Sequence, residues 1–147
     1  MRSAEHGSNG FTLIELLVVL AIIGLVSGAV VLVMPDPRAS LPREAERFAA
    51  RVRAAQDEAV IGARATALRV TPGGYGFERR DHGRWIAITD APLGGRLWPE
   101  GVRAQSSAPR ATFDPTGLSD PLDVTLRREE DSVRVRIEGD GAVHVAQ

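Results

Sequence analysis

Hydrophobic positions along the chain fall into three regimes. From Phe11 to Met34 they are nearly continuous, reading Phe-Thr-Leu-Ile-Glu-Leu-Leu-Val-Val-Leu-Ala-Ile-Ile-Gly-Leu-Val-Ser-Gly-Ala-Val-Val-Leu-Val-Met, and Leu16 to Met34 supplies 19 residues without a charge. A helix apolar on every side needs apolar surroundings. At about 1.5 Å per residue the uncharged part extends about 29 Å, close to the hydrocarbon thickness of a bilayer. Pro35 and Pro37, flanking Asp36, end it by removing amide donors and disfavouring helical geometry in the preceding residue.

The second regime has a helical period. Leu41, Ala45, Phe48, Val52, Ala55 and Ala59 recur at spacings of three or four and share one face, with Ser40 as the expected N-cap and Pro42 in the first turn. Glu44 and Glu46 suit the positive helix end, and the helix should fade near Gly62. Arg43, Arg47, Arg51, Arg53, Asp57 and Glu58 form the opposite side, where mixed signs predict solvated charges.

Beyond Gly62 the pattern shortens to strand-like runs: Ala67 to Thr71, Tyr75 to Arg79, Trp85 to Thr89, Asp123 to Arg128, Val133 to Glu138 and Ala142 to Val145, with a further strand near Arg110 to Phe113. Gly73-Gly74, Asp81-His82-Gly83 and Gly139-Asp140-Gly141 mark hairpin turns, and the Gly, Pro, Ser and Ala-rich stretch from Ala91 to Ser119 reads mainly as long loops. Val133, Val135 and Ile137 alternate with Arg134, Arg136 and Glu138, one face dry and one wet. Strands gathered after helices argue for an α+β fold.

Composition narrows the chemistry. With 147 residues the chain holds one compact domain and an appendage, and without cysteine it has no disulfide, thiolate metal site or Cys nucleophile. The net charge is −1, and the region from Asp36 to Gln147 balances 17 Arg against 17 acids, so no nucleic-acid partner is expected. All 18 basic residues are arginine.

Glu15 stands apart, because a carboxylate in an apolar segment is costly unless it reaches the interface or finds a partner. Its context is informative. Gly10-Phe11-Thr12-Leu13-Ile14-Glu15, followed directly by the apolar run, resembles the class III signal of type IV pilins and type II secretion pseudopilins. An ordinary secretory signal fits poorly, since the apolar run is long and the start carries only Arg2, offset by Glu5.

The resemblance implies that a prepilin peptidase removes residues 1–10 by cutting between Gly10 and Phe11, and methylates the new amino group of Phe11, leaving 137 residues. It further implies a transmembrane and assembly helix at residues 11–34, a continued helical spine at residues 35–63, and a β-rich periplasmic domain at residues 64–147. Cutting ahead of the apolar segment leaves the product anchored. In a low dielectric the Phe11 amine and a carboxylate attract strongly, and the family implies that Glu15 of one subunit meets that amine on a neighbour. The expected fold is the pilin-like α+β fold, a long N-terminal helix packed on an antiparallel sheet.

Within the superfamily the chain most resembles the H-type minor pseudopilin, through Ala54-Ala55-Gln56-Asp57-Glu58-Ala59-Val60, Gly62, Arg64, Tyr75-Gly76-Phe77, Trp85, and Phe113-Asp114-Pro115-Thr116-Gly117 leading to Pro121. That implies a non-enzymatic subunit of an inner-membrane-anchored fibre. Its expected partners are the peptidase, other minor and major pseudopilins, the inner-membrane assembly platform, and secreted cargo or the outer-membrane secretin. Two alternatives stay open: a minor type IV pilin that binds DNA or a surface, and a secreted binding module with an ordinary signal.

Tests for other chemistry return little. His6 falls in the leader, while His82 in a turn and His144 in a strand read as surface residues with no triad or metal spacing. Gly73-Gly74-Tyr75-Gly76 lacks the pattern of a dinucleotide fingerprint or a P-loop. Asp114, Asp120 and Asp123 suggest oxygen ligands for calcium, but their spacing misses an EF-hand loop and Asp114-Pro115 with Gly117 reads as a turn. Trp85, Trp98 and Tyr75 are read as core or rim. No catalytic residue, metal or cofactor is expected.

Overall fold

The structure is a computed structural model that describes residues 12–33 and 40–146. Gly10, Phe11, the leader with His6, and the Pro35 to Pro37 break lie outside the described residues. The chain divides into two compact units, residues 1–35 and residues 36–147.

In the first unit, α1 (Leu13–Val33) is a single helix of 21 residues. It begins where the Thr12 carbonyl accepts the amides of Glu15 at 3.0 Å and Leu16 at 3.2 Å.

In the second unit, α2 (Ser40–Ile61) precedes nine strands: β1 (Thr66–Thr71), β2 (Gly74–Asp81), β3 (Arg84–Ala87), β4 (Arg96–Leu97), β5 (Arg103–Ser106), β6 (Arg110–Phe113), β7 (Leu122–Arg128), β8 (Asp131–Ile137) and β9 (Val143–Ala146). They form two sheets rather than one. The first runs β3-β2-β1-β6 with β4 also paired to β2, and the second runs β5-β7-β8-β9. Every pairing is antiparallel.

The helix covers both sheets with the stripe its periodicity predicts. Leu41, Ala45, Phe48, Val52, Ala55 and Ala59 are all buried, and they meet Leu68, Phe77 and Phe113 of one sheet and Val124, Leu126, Val133, Val135 and Ile137 of the other in one core. Register explains why these strand residues share a face. Leu68 lies opposite both Phe77 and Ala111, and Val135 opposite both Val124 and Val145. A one-residue slip in either ladder would turn its apolar row to water.

Several expectations shift. Ser40 is already helical and no acidic residue occupies the first turn, so Glu44 does not serve the helix dipole; its side chain is buried, 3.7 Å from Arg47. The helix ends in a Schellman arrangement, with Arg64 N donating to Ala59 O at 3.2 Å and Ala63 N to Val60 O at 3.3 Å. The left-handed residue is Ala63 (φ 48°), not Gly62. β4 and β5 lie in the stretch expected to be loops. β5 carries only Ala104 inward and no β-branched residue, so its strand character comes from pairing with β7. The β2–β3 hairpin does use the expected turn, with His82 (φ 46°) and Gly83 (φ 81°) both left-handed as a two-residue primed turn requires.

Candidate assembly site

Unit one presents an exposed apolar helix with one acid in its first turn. From Leu13 to Gly24, the part of α1 whose side chains are described, every residue is exposed, Leu13 at 78% and Ile14 at 70%. Glu15 sits in the first turn of this helix. Among the described residues no helix is long and apolar enough to cross a membrane. An all-round apolar surface of this kind must still be covered by lipid or protein, because large contiguous apolar patches on soluble chains mark interaction sites.

Unit two holds His82, His144 and the aspartates singled out in the sequence. His82 and His144 are exposed, and lie 3.1 Å from Asp81 and 4.0 Å from Glu138 respectively. The three aspartates weighed for calcium are each engaged elsewhere. Asp114 Oδ1 accepts from Thr116 N at 2.8 Å, Thr116 Oγ1 at 2.6 Å and Leu118 N at 3.1 Å, and these bonds, the Thr116 hydroxyl foremost, hold its carboxyl below the usual range. Asp120 Oδ2 accepts from Thr112 N at 2.9 Å, and Asp123 Oδ1 accepts from Arg136 Nε at 2.9 Å. Among the described residues no cluster suits a metal ion.

The helix–sheet junction is where sequence reading missed most. Arg51, expected to be a solvated charge, donates to Tyr75 Oη at 2.9 Å, to Pro92 O at 2.7 Å and to Gly94 O, and its guanidinium lies 5.1 Å from the Tyr75 ring centroid. It ties the loop between β3 and β4 to α2. Burial pushes the Tyr75 phenol above its ordinary pKa, opposed by the hydrogen bond and charge of Arg51. Gln56 reaches Ser119 Oγ at 3.2 Å and Gly141 O at 2.9 Å, and Arg53 reaches Val143 O at 2.9 Å. Helical spacing alone put Arg51 and Arg53 on the wet side; only the segments that fold over the helix give them partners.

Tyr75 and Trp98 are buried, packed edge-on against Phe48 and tilted against each other at 4.6 Å, so neither is free to stack on a base. Trp85, half-buried, lies under the guanidinium of Arg110 at 5.0 Å. A cleft of about 560 Å³ beside Arg51, lined by Glu44, Arg47, Arg51, Pro92 and Arg96, is open to solvent and holds no nucleophile–base pair.

A first helix that is apolar apart from Glu15, and a second helix laid across two antiparallel sheets, define a pilin-like α+β fold. Two family descriptions match the chain: "Type II transport protein GspH" over residues 44–141 and "Prokaryotic N-terminal methylation motif" over residues 6–31. The chain belongs to the GspH family, the H-type minor pseudopilins of type II secretion, which is a family of structural subunits and not of enzymes.

Its relatives agree. The type II secretion system protein H of Aeromonas hydrophila is 29% identical over 158 residues, spanning 88% of this chain and 86% of that protein. The minor pseudopilin EpsH of the Vibrio cholerae type 2 secretion system superposes with a TM-score of 0.65 at 15% identity, over 72% of this chain and 95% of that one. The type IV minor pilin FimU of Pseudomonas aeruginosa gives 0.59 at 18% identity, over 75% and 90%. At these identities the two structures speak for the fold alone.

Proposed function

We propose that this minor pseudopilin is a subunit of the type II secretion pseudopilus, built into its tip complex and supporting export of folded proteins across the outer membrane. A prepilin peptidase cuts between Gly10 and Phe11 and methylates Phe11. The anchored product waits in the inner membrane with residues 64–147 in the periplasm until the assembly platform extracts it. The observation that carries this reading is the match to the N-terminal methylation motif over residues 6–31, joined in the sequence to the uncharged run Leu16 to Met34, with one acid, Glu15, in the first turn of α1. That sequence run of 19 uncharged residues, about 29 Å at 1.5 Å per residue, suits a bilayer before assembly and a bundle of like helices afterwards.

Glu15 supplies the register. In low dielectric the carboxylate of an incoming subunit is drawn to the methylated amine of Phe11 on its neighbour, and a mismatched axial offset leaves both charges unpaired. Lateral partners are other pseudopilins, and secreted cargo or the secretin would meet the β domain. The pilin-like fold serves both secretion and type IV pilus systems; the GspH family match favours secretion.

Amino-terminal sequencing of the chain recovered from membranes tests the first step, and a start at N-methylated Phe11 is the expected result. A start near Ala29 would remove the anchor and sink the reading. Glu15→Ala and Glu15→Leu should be cleaved normally but fail to enter the fibre, whereas normal assembly of either variant would refute the pairing role. Tight, steeply salt-dependent DNA binding by the chain would favour the minor type IV pilin instead.

A further inference from the structure

The central strands of the two sheets treat their outward arginines differently, although Arg84 and Arg96 on the outer strands of the first sheet have no carboxylate partner among the described residues. On the β3-β2-β1-β6 sheet, Arg69 and Arg110 share the carboxylate of Glu78, and Arg80 and Arg110 lie over Trp85. On the β5-β7-β8-β9 sheet, Ala104, Val124, Leu126, Val133 and Val135 point into the core. Alternation therefore puts Arg103, Thr125, Arg127, Arg134 and Arg136 on the outside. Arg136 has Asp123, but among the described residues no carboxylate pairs with Arg103, Arg127 or Arg134.

These three arginines are neighbours by register. Arg103 lies directly opposite Arg127, and Thr125 lies opposite Arg134, which sets Arg134 diagonal to Arg127. All three are exposed. Like charges opposed across a ladder destabilise it, and here the fold leaves the repulsion unrelieved. A guanidinium fork matches a carboxylate in two parallel hydrogen bonds, so three forks on a flat pleated face form a receptor for a group of carboxylates.

The rim selects among anions. Beyond Arg127 and Arg128, Glu129 and Glu130 form the β7–β8 connection and Asp131 opens β8 opposite Arg128, while Asp123 and Glu138 lie towards the other end of the same strands. An extended polyanion or an anionic bilayer would press phosphates against those acids. A small group of carboxylates on a folded protein meets only the arginines.

We propose that the outer face of the β5-β7-β8-β9 sheet, at Arg103, Arg127 and Arg134, docks a carboxylate-bearing surface of a neighbouring pseudopilin subunit. This rests on the fibre reading and adds to it the face used and the chemistry of the partner.

The chain has no lysine, so Arg127→Lys keeps the charge and introduces a unique side-chain amine that a carbodiimide joins to a carboxylate in salt-bridge contact. The full-length variant is expressed with its secretion system, treated in membranes, and the joined peptides are identified by mass spectrometry. The expected product links position 127 to an Asp or Glu of another subunit that carries an N-terminal methylation motif. Adding Arg103→Glu should lower its yield about tenfold, and Arg84→Lys, at the β2–β3 hairpin, should give none. The docking proposal is overturned if Arg127→Lys is processed at Phe11 and enters the fibre yet gives no product, gives no more than Arg84→Lys, or joins only a protein outside the fibre. It is equally overturned if Arg127→Glu abolishes retention on DNA or on phosphatidylglycerol vesicles. Failure of the variant and the unsubstituted chain alike to be processed at Phe11 would instead bring down the fibre reading, and the docking proposal with it.

Discussion

Replacing Arg51 by Met removes a charged fork while keeping most of the side chain that packs beside Tyr75. Three hydrogen bonds disappear, to Tyr75 Oη, Pro92 O and Gly94 O, together with a cation–π contact at 5.1 Å. A hydrogen bond to a charged group contributes about 1.5–3 kcal/mol net in a buried setting. Here the donor is half-exposed and the freed carbonyls can reach water, so the three together are worth far less than their sum. Adding about 0.5–1 kcal/mol for the cation–π contact gives an expected loss of about 2–3 kcal/mol. For a unit of this size that lowers Tm by about 8–12 °C. The transition should be followed by near-ultraviolet circular dichroism of the full chain in a nonionic detergent, because the tilted Tyr75–Trp98 contact at 4.6 Å belongs to the second unit, whereas backbone signals also include α1. Arg51→Lys should recover less than half of the loss, since an ammonium cannot serve two carbonyls and a hydroxyl in one plane. Arg43→Met, exposed on the same helix, should change stability by less than about 0.5 kcal/mol. If Arg51→Met melted within about 2 °C of the unsubstituted chain, the strap holding the β3–β4 loop to α2 would be energetically empty and the reasoning wrong.

Three further outcomes follow from the same geometry. Because the phenol of Tyr75 has a raised pKa in the folded state, its contribution is fully present below the unfolded value of 10.0 and is lost as pH rises through the folded value. Denaturant midpoints measured from pH 8 to 11 should fall at the alkaline end, and Tyr75→Phe should flatten that fall. Ala63→Gly should stabilise the second unit by about 0.5–1 kcal/mol in urea unfolding, because Ala63 holds the left-handed position of the helix cap at φ 48°. Gly141→Ala should cost about 2–3 kcal/mol in the same assay: its φ is +88°, a Cβ there would meet Gly117 O at 2.6 Å, and its own carbonyl is the acceptor for Gln56.

Much of this molecule is legible in its sequence alone. The unbroken apolar run gives α1, the three-and-four spacing gives the buried stripe from Leu41 to Ala59, and period-two alternation gives the dry face of β8. Each of these signals compares a residue with neighbours a few positions away, and that comparison is enough to say which side of an element avoids water. Gly10, Phe11 and Glu15 are legible for a different reason, as part of a short stretch that matches the prokaryotic N-terminal methylation motif over residues 6–31.

What tertiary structure alone decided depends on residues far apart in the chain. The division into two sheets, the strand at Arg103–Ser106, the capture of Arg51 by carbonyls 41 and 43 residues downstream, and the alignment of Arg103 with Arg127 all come from pairing register and loop closure. Local hydropathy carries no record of those, because a charged side chain on a helix's outer face looks solvated until a distant segment folds across it.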